Sequence, residues 1–234
     1  MHTLGVILAG GASRRMQLPA GGGKAAVEVA GRPLLAHVCD AVRPAVDRLV
    51  VVAAPDQPLP TVAGIDAVIR DSRPGAGPLA GVADALRAAG QDVAQAFVAS
   101  CDVPLLKTAV VRLLLACGAE PGVAWAVPWV ADHPQVLVSA VQRSLLPEIE
   151  AHLATGRRDP RGLIDRLRPT EGDPTARVRL VTAAELQAID PDLESFADVD
   201  NPDDLARITT RLLYSAPWRP DKPVSGGRSR ADDG

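Results

Sequence analysis

Short apolar runs alternate along this chain with stretches of helical periodicity. Leu4–Leu8, Leu49–Ala53, Ala67–Ile69 and Ala96–Ala99 read as buried strands. Between them, Pro33–Val46, Leu79–Ala89 and Leu105–Cys117 read as helices. Pro33 suits a first helical turn, and Leu79, Val82, Ala83 and Leu86 share one face of the second helix. This alternation predicts an α/β fold, a single Rossmann-like domain whose mostly parallel central sheet carries helices on both faces.

The second half is more mixed. Val123–Val127, Gln135–Val138 and Val178–Val181 are expected as strands, and Ser144–Leu153 as a helix capped by Ser144. Asn201–Leu213 carries strong helix signals. Asn201 can cap it, Pro202 fits the first position, and Asp203 and Asp204 favour the positive end of the helix. Leu205, Ile208 and Leu212 line one face. From Ser215 onward Pro, Gly, Arg and Asp dominate without periodicity, so residues 215–234 are expected to be a disordered tail behind a domain of residues 1–214.

In parallel sheets ligands collect at the carboxyl ends of the strands. Three polar clusters fall at such ends: Gly10–Arg15, Asp71–Gly77 and Ser100–Asp102. The first reads Leu8-Ala-Gly-Gly-Ala-Ser-Arg-Arg-Met16. Glycine lets backbone N–H groups approach a ligand closely, and arginine grips phosphate oxygens in pairs. The segment fits neither GxxxxGK[ST] nor GxGxxG. A plain strand-to-loop turn accounts for Gly10 and Gly11 but leaves Arg14 and Arg15 unexplained, whereas a nucleoside triphosphate accounts for all four.

Other residues carry two readings each. Lys24 follows three glycines in a loop expected to be mobile. It is either a solvated lysine or a cation swung onto a phosphate. Asp102, just beyond a buried strand, either caps the next helix or holds Mg²⁺, which prefers oxygen ligands. Asp71 and Gly75–Gly81 either line the same crevice or form a turn. Asp198, Asp200, Asp203 and Asp204 read mainly as helix-start residues. His133, alone in a loop, reads as structural, and Cys101 has no neighbouring base to activate it as a nucleophile.

Composition narrows the classes. A net charge of −3 argues against a general nucleic-acid binder, and aromatic residues at 3% leave few side chains to stack on a base. Three cysteines without paired spacing suggest reduced thiols in a cytoplasmic protein. No run reaches membrane-spanning length, so neither nucleic acid nor membrane is an expected partner.

Taken together, these segments resemble the nucleotidyltransferases that open on LAGGxSxRM, and most closely the molybdenum cofactor guanylyltransferases. The likeness covers roughly residues 3–213. It includes Leu8–Met16, Lys24-Ala25, Gly31-Arg-Pro-Leu34, Asp71 with Pro78-Leu-Ala-Gly81, and Cys101-Asp-Val-Pro104. Asp132-His-Pro134, Leu146–Arg158 and Phe196–Leu205 continue it. The resemblance implies a Mg²⁺-dependent enzyme that joins GMP from GTP to the phosphate of molybdopterin and releases pyrophosphate. Molybdoenzymes or their chaperones are the partners it admits. Leu8, Ala9, Gly10, Gly11, Ser13, Arg14, Arg15, Lys24, Asp71 and Asp102 would then contact GTP. Arg15, Lys24 and Asp102 would be catalytic, with Asp102 holding the metal.

Three departures from that family's pattern matter. Met16 and Lys24 are separated by seven residues, Gln17–Gly23, and no Asp precedes the lysine. Ala53 stands where the family often has asparagine, which leaves the choice of base open. The late motif reads Asp198-Val-Asp-Asn-Pro-Asp-Asp-Leu205 rather than NxNTPEEL. If it reaches the active site, Asp198 or Asp200 adds a metal ligand. Two further functions therefore stay open: a sister nucleotidyltransferase using CTP or another triphosphate, and a non-catalytic nucleotide-binding partner.

Overall fold

The computed structural model describes residues 2–10, 23–168 and 177–215. In chain order its elements are β1 (His2–Leu8), β2 (Glu28–Val29), β3 (Arg32–Pro33), α1 (Leu34–Val42), β4 (Arg48–Ala53), β5 (Ala67–Arg70), α2 (Pro78–Ala88) and β6 (Val93–Ser100). They continue as α3 (Thr108–Gly118), β7 (Trp125–Val130), β8 (His133–Pro134), β9 (Val138–Gln142), α4 (Leu146–Ala154), α5 (Pro160–Leu167), β10 (Val178–Thr182), α6 (Ala183–Gln187) and α7 (Pro202–Ser215).

Among the described residues one sheet runs in the order β10-β7-β9-β6-β1-β4-β5, with β8 paired to β7, while β2 and β3 form a separate hairpin. The pairs β6–β1, β1–β4, β4–β5 and β7–β10 are parallel, and β9 runs antiparallel between β6 and β7. Strands buried on both faces read as continuous apolar runs, which is why β1, β4 and β6 are legible in the sequence. One face of the sheet is covered by α1, α3 and α6 through Leu35, Val38, Val110, Leu114 and Leu186. Leu79, Val82, Leu86, Ile149 and Leu163 of α2, α4 and α5 cover the other.

A third, small core decides where the late acidic motif goes. Val29, Leu34, Val199 and Ile208 are fully buried against one another, with Leu205 and Leu212 packed alongside. They join the β2–β3 hairpin to α7 and to the chain before it. Burying Val199 contributes on the order of 1.5 kcal/mol, and its backbone N–H also donates to the Asp102 carbonyl at 2.9 Å. The residues on either side of Val199 are thereby fixed beside Asp102.

Several expected boundaries shift. Pro33 closes β3 with extended backbone (ψ 142°), so α1 begins at Leu34, and it ends at Val42 before a 3₁₀ turn at Arg43–Ala45. Helix α3 starts at Thr108 rather than Leu105. Residues Gln135–Val138 are not one strand. Gln135 donates its N–H to the Pro128 carbonyl at 2.9 Å, and pairing resumes only at Val138. Ser144 lies in a 3₁₀ turn and does not cap α4. The Asn201 cap holds: its Oδ1 accepts from the Asp204 N–H at 2.9 Å. Helix α7 runs one residue past the expected boundary, to Ser215, and residues 216–234 of the expected tail lie outside the described residues. Among the described residues no helix is long and apolar enough to cross a membrane.

Helix α6 shows how a polar end is held. The Thr182 hydroxyl accepts from the Glu185 N–H at 3.3 Å, while the Glu185 carboxylate accepts from the Thr182 N–H and hydroxyl at 2.8 Å each. Arg179 donates to the same carboxylate at 2.7 Å. The Thr182 N–H, then Arg179, then the Thr182 hydroxyl hold the Glu185 carboxyl down to about 2 from its ordinary 4.5. A folded-state value below the unfolded one stabilises the fold above about pH 4.5 and loses that stabilisation as pH falls toward 2. Glu185→Gln is therefore expected to lower stability at pH 7, by no more than ~1 kcal/mol for so exposed a pair. Melts at pH 7, 5 and 3 should show the gap from wild type narrowing; a gap of constant size would contradict this account.

Candidate active site

The connection between β1 and β6 fixes the place of the site. From β1 the chain passes through α1 to β4 on one side, and later returns through α2 to β6 on the other. A crevice opens at the carboxyl ends where the strand order reverses. There Leu8 lies opposite Val52 on one neighbour and Ser100 on the other. The Ala9 N–H reaches the Val52 carbonyl at 2.8 Å, and the Cys101 N–H reaches the Leu8 carbonyl at 3.1 Å. Gly10 and Asp102 thus leave adjacent strands side by side.

Lys24 enters this crevice from below. Gly23 begins a 3₁₀ turn, Ala25 is fully buried in the core, and the Val27 N–H closes the turn on the Lys24 carbonyl at 3.0 Å. The lysine is not on a mobile loop as its glycine neighbours suggest, because Ala25 anchors it. Nor is it solvated: its side chain is 16% exposed. The Nζ donates to Asp102 Oδ2 at 2.9 Å and to Asp200 Oδ1 at 2.5 Å. Burial opposes the charged ammonium, yet the hydrogen bonds from Asp200 and Asp102 outweigh it, and Lys24 titrates above the ordinary lysine value. Asp198 is pushed above the usual carboxylate range by partial burial and by the charges of Asp200 and Asp102.

Among the described residues one ammonium faces three carboxylates, a net negative arrangement that disfavours a polyphosphate without further cations. The donor set consists of hard carboxylate oxygens at a crevice floor, which suits Mg²⁺. Among the described residues no group of three or more His, Cys, Asp or Glu is disposed to hold a metal ion. Most of an Mg²⁺ shell would have to come from phosphate and water, as that ion ordinarily prefers.

Beside the centre lies a cleft of about 790 Å³ whose lining includes Leu8, Gly10, Ala53, Asp71, Pro78 and Ser100. Asp71 continues β5 by donating its N–H to the Ala53 carbonyl at 2.8 Å, and its Oδ1 accepts from the Arg73 N–H at 2.9 Å. The loop that follows is held to α2 by Asp84, which accepts from the Ser72 N–H and hydroxyl at 2.8 Å each and from Arg87 at 2.8 Å. Burial alone raises the Asp84 carboxyl; the Ser72 and Arg87 hydrogen bonds reverse that and hold it below the ordinary value.

The structure brings Leu8, Ala9, Gly10, Lys24, Asp71 and Asp102 to one crevice, with Asp71 on the cleft wall and Lys24 and Asp102 at the ionic centre. Gly11, Ser13, Arg14 and Arg15 lie outside the described residues. Asp102 does not cap α3, whose cap position is Lys107. The Cys101 thiol, buried and near Asp102, is pushed up to about 12 and is no nucleophile. Sequence reading missed Gln57. Its Nε2 donates to the Ala9 carbonyl at 2.9 Å, and its Oε1 accepts from the Ala54 N–H at 3.2 Å. A Cβ at Gly23 would stand 2.3 Å from that amide nitrogen, so a side chain there would displace the Gln57 amide from its bonds to Ala9 and Ala54. No local signal marks Gln57; only the convergence of three segments reveals it.

Residues 5–170 match the family model described as the MobA-like NTP transferase domain. The chain is 32% identical to the molybdenum cofactor guanylyltransferase of Desulfosudis oleivorans over 89% of its length and 95% of that protein's. In fold it is similar to molybdopterin-guanine dinucleotide biosynthesis protein A of Archaeoglobus fulgidus. The TM-score is 0.70 at 24% identity, covering 90% of this chain and 99% of that one. It is also similar to 2-C-methyl-D-erythritol 4-phosphate cytidylyltransferase of Thermus thermophilus, with TM-score 0.64 at 20% identity over 89% and 98%.

Gly77 shapes the cleft mouth. Its φ is +88°, and a Cβ there would lie 2.8 Å from the Arg158 carbonyl oxygen. Gly77→Ala is expected to cost about 1–3 kcal/mol through backbone strain, with the added methyl also displacing the chain at Arg158. Thermal melts check it, and an unchanged melting temperature would show that this turn is not strained by a side chain.

Proposed function

This chain belongs to the MobA-like NTP transferase family, and from that premise we propose that it transfers GMP from GTP to the phosphate of molybdopterin, releasing pyrophosphate. The supporting observation is the Lys24 ammonium held between Asp102 and Asp200 beside a cleft of nucleotide size. The base and ribose occupy that cleft, between Ala53, Asp71 and the start of α2, and the triphosphate turns toward Lys24. Nucleotidyltransferases of this kind typically use a divalent metal. Here Asp102, joined by Asp200, would hold Mg²⁺, which when bound neutralises charge on the α-phosphate and on the departing pyrophosphate.

The acceptor is a phosphate monoester with a second pKa of about 6, so it is mostly dianionic at neutral pH. It needs no general base, in keeping with a crevice in which no histidine pairs with a carboxylate among the described residues. One acceptor oxygen forms a bond to the α-phosphorus while the bond to the bridging oxygen breaks, and the pyrophosphate leaves with that electron pair. The protein supplies in-line positioning and charge neutralisation. Lys24 meets the α-phosphate, and the amides near Gly10 face the phosphates. Arg14 and Arg15 enter this proposal on their sequence position alone, as ligands of the leaving pyrophosphate.

A second reading uses CTP. It is favoured by Ala53, which offers no side-chain amide to a base, and by the acidic late motif that sets Asp200 against Lys24. Pyrophosphate release measured with GTP, CTP or ATP, with metal-free molybdopterin present or absent, tests both. Acceptor-dependent release with GTP is the expected result; release with CTP alone would establish the second reading instead. Asp102→Asn is expected to reduce turnover by roughly 10³-fold while leaving the melting temperature near that of wild type. Full activity in that variant would remove Asp102 from the chemistry, and chelation with EDTA is expected to abolish turnover until Mg²⁺ is restored.

A further inference from the structure

A second cleft, of about 590 Å³, borders the ionic centre. The first cleft reaches the centre at Gly10, Gly23 and Ser100, and the second reaches it at Asp198. Its size suits a fused-ring heterocycle. Leu105, Val130, Phe196 and Ile208 supply apolar lining, and Arg207 and Arg211 stand one helical turn apart on α7 at its rim.

The turn joining β7 to β8 builds one wall at a conformational cost. Ala131 and Asp132 have φ of 51° and 61°, two successive non-glycine residues in the left-handed region. Positive φ at both central residues is what a two-residue turn between the paired Val130 and His133 requires. The turn presents His133 and Gln135 to the cleft in a defined hydrogen-bonding state. His133 Nδ1 lies 2.7 Å from the Ala131 carbonyl, which can only accept, so Nδ1 carries the proton. The Nε2 of a neutral imidazole is then an acceptor, and it takes a hydrogen from Gln135 Nε2 at 2.9 Å. The other hydrogen of that amide points to the Val130 carbonyl at 3.4 Å. Both donors of Gln135 are committed to the protein, so its carboxamide oxygen is the group left for a ligand.

We propose that Gln135, oriented by His133, is the residue that reads the pterin of the acceptor, its carboxamide oxygen accepting from the 2-amino and N3–H edge of the ring. This inference rests on the acceptor assigned above and names the subsite that holds it. Gln135 binds substrate; His133 is a positioning residue that fixes which end of the amide faces the cleft. An acceptor-only group there favours N–H donors and disfavours carboxylates and phosphates, so the phosphate of the acceptor is directed away from Gln135 and toward the ionic centre.

The test compares wild type with Gln135→Leu and His133→Phe in steady-state pyrophosphate release under anaerobic conditions, using metal-free molybdopterin and GTP. Gln135→Leu is expected to raise KM for molybdopterin about tenfold, with KM for GTP within twofold of wild type and an unchanged melting temperature. His133→Phe, which frees the Gln135 amide to rotate, is expected to raise the same KM by less. Gln135→Glu, which keeps acceptor oxygens, is expected to recover part of the loss. Movement of both KM values together, or of neither, would overturn the proposal. If wild type shows no turnover with any triphosphate, the functional reading fails, and isothermal titration with metal-free molybdopterin then decides the subsite separately. Binding to wild type that weakens in Gln135→Leu supports it, and no binding to wild type, or equal binding to both, overturns it.

Discussion

One ammonium between two carboxylates ties this molecule together at its site. Lys24 meets Asp102, 78 residues away, and Asp200, 176 residues away, so three distant segments converge on one nitrogen. Removing Lys24 would leave its carboxylate partners facing one another in a half-buried place, whereas an amide at Asp102 leaves the ammonium still paired with Asp200. The arrangement is also one-sided. Two carboxylates on one ammonium, with Asp198 close by, hold the segments together while leaving a deficit of positive charge. That deficit makes the centre selective. In the proposed reading it disfavours a bare polyphosphate, so nucleotide and metal would bind as a unit.

The scaffold places these charges without relying on their attraction. Asp102 extends from β6, whose register with β1 sets it beside Gly10. Lys24 is set by Ala25, buried in the main core, and Asp200 by Val199, buried in the small one. Each charged residue therefore follows or precedes a fully buried aliphatic neighbour. Lys24 is presented by the 3₁₀ turn that carries buried Ala25, and Asp200 by the alternation of side chains on either side of buried Val199. By that alternation Asp198 and Asp200, two apart with Val199 between them, leave the chain on the same side, and Asp198 also lines the second cleft.

The parallel half of the sheet was readable from the chain because buried parallel strands are apolar throughout and their ends are punctuated by glycine and aspartate. Three of the four features that define the crevice, at Gly10, Asp71 and Asp102, follow from that rule. What the chain hides is what depends on tertiary approach. Gln135–Val138 is apolar enough for a strand, yet the β7–β8 turn delays pairing until Val138. Ser144 has the chemistry of a cap, but the preceding 3₁₀ turn gives the position to Leu145. Helix α5 was missed although Asp159-Pro160 signals it, and its cap is real: Asp159 accepts from the Gly162 N–H at 2.8 Å. Lys24 was misread as mobile because its glycines are visible and the burial of Ala25 is not.

The two clefts lend the site a direction. In-line transfer requires the entering oxygen and the departing pyrophosphate on opposite sides of the α-phosphorus. In the proposed reading a nucleotide in the first cleft and an acceptor in the second both reach the ionic centre, the first at Gly10 and Ser100 and the second at Asp198. At the ionic centre Asp200, where the resembled family often carries asparagine, would in that reading strengthen the grip on a cation. The base contributes less to the geometry of transfer, because Ala53 offers it no polar side chain and the Gln57 amide is already engaged with Ala9 and Ala54. In the proposed reading Asp71, on the wall of the first cleft, remains as a polar side chain for the nucleotide, and Gln135 serves the acceptor in the second.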